Sequence, residues 1–201
     1  RHWDGYRMWS STWRVLVDKY IFRKRKGLDL RTCQHIIHTF LQYDPEWNER
    51  TQYYAIYPKL SDVTFSFLKP ILWKYMGEYT EKHKFLSSKY NSNPYYSSWD
   101  INERFNIQKY DPGGSYAPGE HMEHGKGEWD SKRLLAWMFY LNDIKKDGGT
   151  RWPQQNFTAK PRAGDLYIWP AGWTHSHYGI PAPQETKYII TGWCSFHGRR
   201  Y

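Results

Sequence analysis

The residues best suited to chemistry in this sequence are His121 and Glu123, which are separated by a single residue. In an extended segment, residues two apart point to the same side, so an imidazole and a carboxylate converge here. A second imidazole from His175 or His177 would complete a 2-His-1-carboxylate ligand set, which suits Fe(II) and leaves coordination positions open. Strand periodicity places both histidines on one face and does not choose between them.

Other metal and nucleophile motifs are missing from the sequence. The zinc deaminase signature also begins with His-x-Glu, but it needs a downstream Pro-Cys-x-x-Cys, and the cysteines here are Cys33 and Cys194. The chain contains neither a His-Glu-x-x-His helix nor a Gly-x-Ser-x-Gly nucleophile elbow. A lone His-x-Glu triplet is common on exposed strands, so the assignment depends on the wider pattern.

That wider pattern resembles the prolyl 4-hydroxylase-like 2-oxoglutarate/Fe(II) dioxygenases, particularly their cyanophage-encoded members. The resemblance runs from about Phe105 to Phe196 and is carried by motifs in the family's order. They are Tyr110–Tyr116 with its Gly-Gly turn, His121-Met-Glu123, the apolar strand Arg133–Leu141, Gly148-Gly-Thr-Arg-Trp-Pro153, and His177-Tyr-Gly-Ile-Pro181 leading to Lys187. The chain departs from the family in having glutamate where most members have aspartate, and in a longer loop at 117–120.

The resemblance implies a ligand set and cofactors. It favours His177 over His175 as the second histidine, because the family's distal ligand precedes x-Gly and is followed ten positions later by a lysine. The ligands would then be His121, Glu123 and His177, with no catalytic side chain beyond them. Fe(II), 2-oxoglutarate and O2 are the implied cofactors, with ascorbate as an optional addition.

The segment Lys187–Trp193 alternates in a way that predicts a strand with two different faces. One face would carry Lys187, Ile189, Thr191 and Trp193, and the other Tyr188 and Ile190. An inward lysine needs an anion, since burying an unpaired ammonium is costly. The resemblance supplies the distal carboxylate of 2-oxoglutarate, held also by Tyr110 and Thr150. The alternative is that Lys187 is exposed on an edge strand.

The resemblance also implies a substrate, a prolyl residue of a peptide or protein. Arg133 and Tyr116 match family positions near the substrate, and Trp152 could stack on a proline ring or simply pack in the core. Because the 117–120 loop departs from the family pattern, small molecules, free amino acids and a virion protein stay open as substrates. A nucleic-acid oxygenase of the same superfamily and a non-catalytic jelly-roll binding or structural module, such as a phage accessory protein, are the alternative functions.

The order of elements predicts an α+β fold in a single domain over residues 1–201. A supporting region at about 1–90 would hold a strand at Val15–Phe22 and two helices, one capped by Asp29 and ending near Asp44 and the other from about Asp62 to Leu86. The core at about 100–197 would be a double-stranded β-helix (jelly-roll or cupin-like) buttressed by these helices. Its predicted strands are about 103–110, 133–141, 156–160, 165–170, 173–178 and 187–196, after a loop at 87–98.

Charge and composition restrict the partners less than the motifs do. A formal charge of +9 would attract dianionic 2-oxoglutarate or a nucleic acid equally well. The basic run Arg23–Lys26 is more typical of a solvated turn than of a nucleic-acid contact. No apolar run is long enough to span a membrane, and two cysteines form no disulfide framework. We therefore expect a soluble protein in a bacterial or phage-infected cytoplasm.

Overall fold

The computed structural model describes residues 20–84 and 99–196. Two helices are present, α1 (Leu30–Gln42) and α2 (Leu68–His83). The strands are β1 (Phe22–Lys24), β2 (Glu46–Asn48), β3 (Tyr53–Ile56), β4 (Trp99–Ile101), β5 (Asn106–Tyr110), β6 (Arg133–Tyr140), β7 (Thr150–Trp152), β8 (Phe157–Ala159), β9 (Leu166–Pro170), β10 (Tyr178–Gly179) and β11 (Lys187–Phe196). The predicted 87–98 loop and most of the predicted strand from Val15 lie outside the described residues.

The strands form two antiparallel sheets. The larger has eight strands in the order β1-β9-β6-β11-β5-β3-β2, with β4 also paired to β11, and the smaller has the order β10-β7-β8. This is the predicted jelly-roll type of fold, although the sheet does not close into a barrel. The long strand β11 lies at its centre, paired with β6 on one side and with β5 and β4 on the other.

The two faces of the large sheet enter different cores. On β6, Leu135, Trp137 and Phe139 pack in the core that contains both helices. The intervening Ala136, Met138 and Tyr140 pack toward the small sheet. Strand alternation thus separates a supporting core from an inner core that surrounds the candidate site.

Helix α1 begins as predicted, because the Asp29 side chain accepts a hydrogen bond from the Thr32 backbone N–H at 2.8 Å. Its buried face contains Cys33, Ile36 and Phe40. The three- and four-residue spacing of apolar residues in this helix would also place Leu30 and Leu41 on the buried face, but both side chains are exposed. Leu30 is the first helical residue, and Leu41 follows Phe40 by about 100° around a helix of 3.6 residues per turn.

Helix α2 begins at Leu68, later than the predicted Asp62. Pro70 therefore lies in the first turn, where its missing N–H leaves no hydrogen bond unmade. The segment before it forms turns, in which the Asp62 carboxylate accepts from the Lys59 backbone N–H at 2.7 Å. The helix ends at His83, before Lys84 with φ 52°.

The basic run at 23–26 is partly a strand and not simply a solvated turn. Arg23 and Lys24 belong to β1, and the Arg23 guanidinium donates to the buried Asp165 carboxylate at 2.7 Å. Lys24 Nζ lies 2.8 Å from a Glu78 oxygen on α2. Two of the four basic side chains of this run are thus held in ion pairs with other parts of the fold.

Strands β2, β3, β4 and β7, each of three or four residues, were not predicted. The predicted strand at 173–178 is also wrong for most of its length, since Trp173–His175 is a 3-10 turn and only Tyr178–Gly179 forms a strand. Among the described residues, no helix is long and apolar enough to cross a membrane.

Candidate metal centre and its cavity

Backbone pairing brings His121 and His177 together, although they are far apart in the chain. The two residues form an antiparallel bridge in which each backbone N–H donates to the other's carbonyl oxygen at 2.9 Å. Glu123 is fixed by its own N–H, which donates to the Ala171 carbonyl oxygen at 3.1 Å. The segment around His121 is thus attached to the strand end that follows β9 and to the segment that begins β10.

The side chains of His121, Glu123 and His177 converge within this framework, with one candidate ligand atom of each lying within 4.8 Å of the others. Glu123 Oε1 is 3.4 Å from His177 Nε2 and 4.0 Å from His121 Nε2. Two imidazole nitrogens and one carboxylate oxygen are the donor set expected for a non-haem Fe(II) centre. The described residues therefore fit the predicted metal.

Backbone carbonyls fix the tautomers of both histidines. His121 Nδ1 lies 2.9 Å from the Gly119 carbonyl oxygen, and His177 Nδ1 lies 3.0 Å from the His175 carbonyl oxygen. A carbonyl oxygen only accepts, so Nδ1 carries the proton and the Nε2 lone pair of a neutral ring faces Glu123. The longer loop at 117–120 thus supplies the partner that orients His121.

Glu123 presents one oxygen to the histidines and the other to the protein. The indole N–H of Trp193 donates to Glu123 Oε2 at 2.7 Å, whereas Oε1 faces both imidazoles. Burial alone would raise the pKa of this carboxyl, but His177 and His121, which donate to it or carry positive charge when they are protonated, and the Trp193 N–H outweigh burial and lower it to about 2. The group is therefore an ionised ligand at neutral pH.

Lys187 lines the same cavity as these ligands and is 4% exposed. Its Nζ lies 3.4 Å from the Ile180 carbonyl oxygen and 4.7 Å from the centre of the Tyr110 ring. Within residues 20–84 and 99–196, no carboxylate is in ion-pair contact with this ammonium. A buried ammonium without an anion is costly, so the position fits the distal carboxylate of 2-oxoglutarate.

The predicted hydroxyl partners lie in this part of the cavity too. Tyr110 is directly opposite Lys187 in the pairing of β5 with β11, and Thr150 is opposite Gly179, where an added Cβ would lie 3.6 Å from Lys187 Nζ. Tyr110 donates to Gln108 Oε1 at 2.9 Å, and the Thr150 hydroxyl lies 2.7 Å from that of Tyr140. Burial raises the pKa of Tyr110, so its hydroxyl keeps its proton and can donate.

The glycine turn before Thr150 permits this arrangement. A Cβ on Gly149 would lie 2.1 Å from the Ala159 carbonyl oxygen, closer than any side chain can approach. Only glycine therefore lets Thr150 pair with Ala159 in the small sheet.

The buried ammonium predicts an unusual alkaline pH dependence. Burial lowers the pKa of Lys187 from 10.5 to about 8. Between these values the unfolded chain binds more protons than the folded one, so the free energy of unfolding without 2-oxoglutarate should rise with pH. Denaturant titrations on both sides of pH 8 should show this rise relative to Lys187→Met, whose side chain does not titrate. Parallel curves for the two proteins would contradict the buried, unpaired ammonium.

A cavity of about 350 Å³ joins the metal ligands to Lys187. Eight of the nine predicted site residues line it, namely His121, Glu123, His177, Lys187, Tyr110, Thr150, Arg133 and Tyr116. Trp152 does not, since it is 0% exposed and stacks on the His177 ring at 5.7 Å between centres. The position of Trp152 thus matches the packing alternative and gives no support to a substrate contact.

Arg133 and Tyr116 lie near the metal ligands. The Arg133 guanidinium donates to the Glu123 carbonyl oxygen at 3.0 Å and pairs with Asp130 at 2.9 Å. The Tyr116 ring lies 4.3 Å from that of His121. Both reach the cavity, and their contact with a substrate stays a prediction.

Several residues that shape the site were not predicted from the sequence. Trp193 was placed on the inward face with Lys187, but nothing in the pattern indicated a hydrogen bond to Glu123. Gln108 is two residues before Tyr110, so alternation could have indicated it. The carbonyl oxygens of Gly119 and His175 leave no sequence signal, because any residue type supplies a carbonyl.

Comparison with known families supports the resemblance. Residues 105–195 match the model of the 2OG-Fe(II) oxygenase superfamily. Prolyl 4-hydroxylase subunit alpha-1 from Gallus gallus is 25% identical over 49% of this chain and 22% of that protein. The human protein of the same name is 23% identical over 49% and 21%. The chain thus spans about a fifth of the length of these relatives.

Solved structures share the fold. The viral collagen prolyl hydroxylase of Paramecium bursaria Chlorella virus-1, in its 2-oxoglutarate complex, superposes with a TM-score of 0.69 at 16% identity, covering 89% of this chain and 97% of that one. A Pseudomonas putida prolyl 4-hydroxylase gives 0.66 at 12% identity, covering 89% and 93%. A Trichoplax adhaerens prolyl hydroxylase bound to a hypoxia inducible factor peptide gives 0.58 at 14% identity, covering 89% and 84%.

The matched segment, the fold and the ligand set are all similar to those of 2-oxoglutarate- and Fe(II)-dependent dioxygenases. Within that class the chain is similar to prolyl 4-hydroxylases, as its motifs predicted.

Proposed function

We propose that this protein hydroxylates prolyl residues of a peptide or protein, with conversion of 2-oxoglutarate to succinate and CO2. Support comes from the cavity that the clustered ligands His121, Glu123 and His177 line together with Lys187. The similarity to prolyl hydroxylases of animals, a virus and a bacterium supports the substrate class. One oxygen atom of O2 would enter the substrate C–H bond and the other would enter succinate.

The protein's own residues have binding and orienting roles in this proposal. Bound iron and 2-oxoglutarate supply the oxidising chemistry. His121, Glu123 and His177 hold the metal, and Lys187 neutralises the distal carboxylate of the cosubstrate while the Tyr110 hydroxyl orients it. The closely packed inner core limits access of water to the site, since Trp152, Tyr140 and their neighbours are fully buried.

A second cavity supports a polymeric substrate over a small one. It has a volume of about 730 Å³ and shares Arg133 and Trp193 with the metal cavity. Trp129 lines it with 76% of its surface exposed, and Phe196 is also exposed there. Exposed aromatic side chains beside a reactive centre suit residues that flank a target proline.

A nucleic-acid substrate receives less support from the described residues. The basic run at 23–26 uses Arg23 and Lys24 in ion pairs with Asp165 and Glu78. The +9 charge still permits such a substrate, so an oligonucleotide belongs in the assay. Cytoplasmic localisation stays a prediction.

The test measures succinate formation with Fe(II), 2-oxoglutarate and O2, together with a gain of one oxygen atom in the candidate substrate. We expect both for a proline-containing peptide, and neither for the same peptide with alanine at each proline. Free proline and a single-stranded oligonucleotide should remain unmodified. Oxygen incorporation into the oligonucleotide or free proline, with none in any peptide, would overturn the peptidyl substrate. Metal-loaded protein that forms no succinate with any of these candidates, or in their absence, would favour the non-catalytic module.

A further inference from the structure

We propose that Trp193 is a positioning residue for the metal centre, because it holds the outer oxygen of Glu123 and thereby makes this longer carboxylate a one-oxygen ligand. The inference rests on the metal centre of the proposed function, and it concerns a role that the ligand set alone does not define.

The hydrogen bond divides the carboxylate into two oxygens with separate partners. Trp193 Nε1 donates to Oε2 at 2.7 Å, and Oε1 is the oxygen that faces His177 at 3.4 Å and His121 at 4.0 Å. An indole N–H can only donate, so the pair has one possible polarity. With Oε2 occupied in this way, only Oε1 is directed toward the metal position.

The Trp193 ring is itself held in place. The Arg133 guanidinium lies 3.8 Å from the ring centre, within the range of a cation–π contact. Arg133 is fixed by Asp130 at 2.9 Å, and its Nη1 donates to the Glu123 carbonyl oxygen at 3.0 Å. Arg133 therefore secures the Glu123 backbone while Trp193 secures its side chain.

Glu123 needs this support for two physical reasons. Glutamate has one more rotatable bond than aspartate, so its carboxylate loses more conformational freedom when it is fixed. Arg133 Nη1 is also 3.8 Å from Oε2 and would attract an unrestrained carboxylate away from the histidines. The indole N–H opposes both effects, which explains why the segment can use glutamate as the ligand.

The experiment compares Trp193→Phe with Trp137→Phe in the full chain. Trp137 is a fully buried tryptophan on the adjacent β6, it faces the supporting core, and its indole N–H has no partner among the described residues. Anaerobic titration with Fe(II), and with Mn(II) as a redox-stable probe, measures metal affinity without turnover. We expect Trp193→Phe to weaken metal binding by roughly 10- to 100-fold, as the loss of an outer partner of a ligand typically does. Trp137→Phe should keep the wild-type affinity in the folded protein.

A second pair of variants separates positioning from general packing. The Glu123→Asp side chain is shorter and withdraws its outer oxygen from the indole, so adding Trp193→Phe to it should change metal affinity by less than about threefold. Equal losses in the wild-type and Glu123→Asp backgrounds, or no loss in the wild-type background, would overturn the inference. Trp193→Tyr keeps a ring beneath Arg133 without an N–H at this place and serves if the phenylalanine variant does not fold.

The outcome also distinguishes the inference from the proposed function. Wild-type protein that binds neither Fe(II) nor Mn(II) would overturn both. Wild-type protein that binds metal only as tightly as Trp193→Phe does would overturn the positioning role alone.

Discussion

Replacing Glu123 by alanine should abolish tight Fe(II) binding and lower succinate formation by at least about 100-fold. Loss of a residue that only hydrogen-bonds to a metal ligand typically costs roughly 10- to 100-fold, and loss of the ligand itself should cost more. The substitution removes the only carboxylate of the cluster, and two histidines alone neither balance the metal's charge nor complete its facial set. Iron content after anaerobic loading and succinate release measure the two effects.

Glu128→Ala is the matched control for this variant. Glu128 lies in the same segment, and its exposed side chain contacts Lys132 at 3.3 Å and not the cavity. We expect its iron content and succinate release to equal those of the wild type. Unchanged iron content in Glu123→Ala would show that the ligand assignment is wrong.

Lys187→Met should weaken 2-oxoglutarate binding by roughly 100-fold, because removing one member of a buried charge pair costs several kcal/mol and leaves the other charge unpaired. Methionine keeps the apolar length of the lysine side chain and removes its charge. Fe(II) affinity without 2-oxoglutarate should stay near the wild-type value, since Lys187 is not among the clustered ligands. Calorimetric titration of the Mn(II)-loaded protein measures the cosubstrate affinity.

Lys109→Met provides the comparison for charge alone. Lys109 is on β5 opposite Tyr188, on the face away from the cavity, and its Nζ pairs with Asp111 at 2.8 Å. It carries the same charge as Lys187, so a general effect of net charge would appear in both variants. An equal loss of 2-oxoglutarate affinity in both would contradict the anchoring role of Lys187.

The sequence was most informative where alternation and a ligand motif coincide. The alternation in Lys187–Trp193 predicted the inward and outward faces of β11, and this is confirmed, because Lys187 and Trp193 line the cavity while Ile190 is in the supporting core. The Asp29 cap likewise predicted the start of α1 within one residue. Both signals are local, since strand period and capping depend on neighbouring residues.

The sequence was least informative where position depends on distant backbone. No local pattern predicts that His121 pairs with His177. Nor does one predict that residues 173–175 form a 3-10 turn, whose last carbonyl oxygen orients the His177 ring. Trp152 was open to either role because aromatic residues suit both a core and a ring contact, and only its complete burial distinguishes them. The contact of Trp193 with Glu123 joins residues 70 positions apart and has no local pattern.

The most direct test of the metal and cosubstrate site is an anaerobic titration of the apo-protein with Fe(II) and then 2-oxoglutarate. The 2-oxoglutarate chelate of such a centre has a weak visible charge-transfer absorption. We predict a band that requires both components, weakens in Lys187→Met and is missing in Glu123→Ala. A folded, iron-loaded wild-type protein that shows no band at saturating 2-oxoglutarate would contradict the assignment of this site.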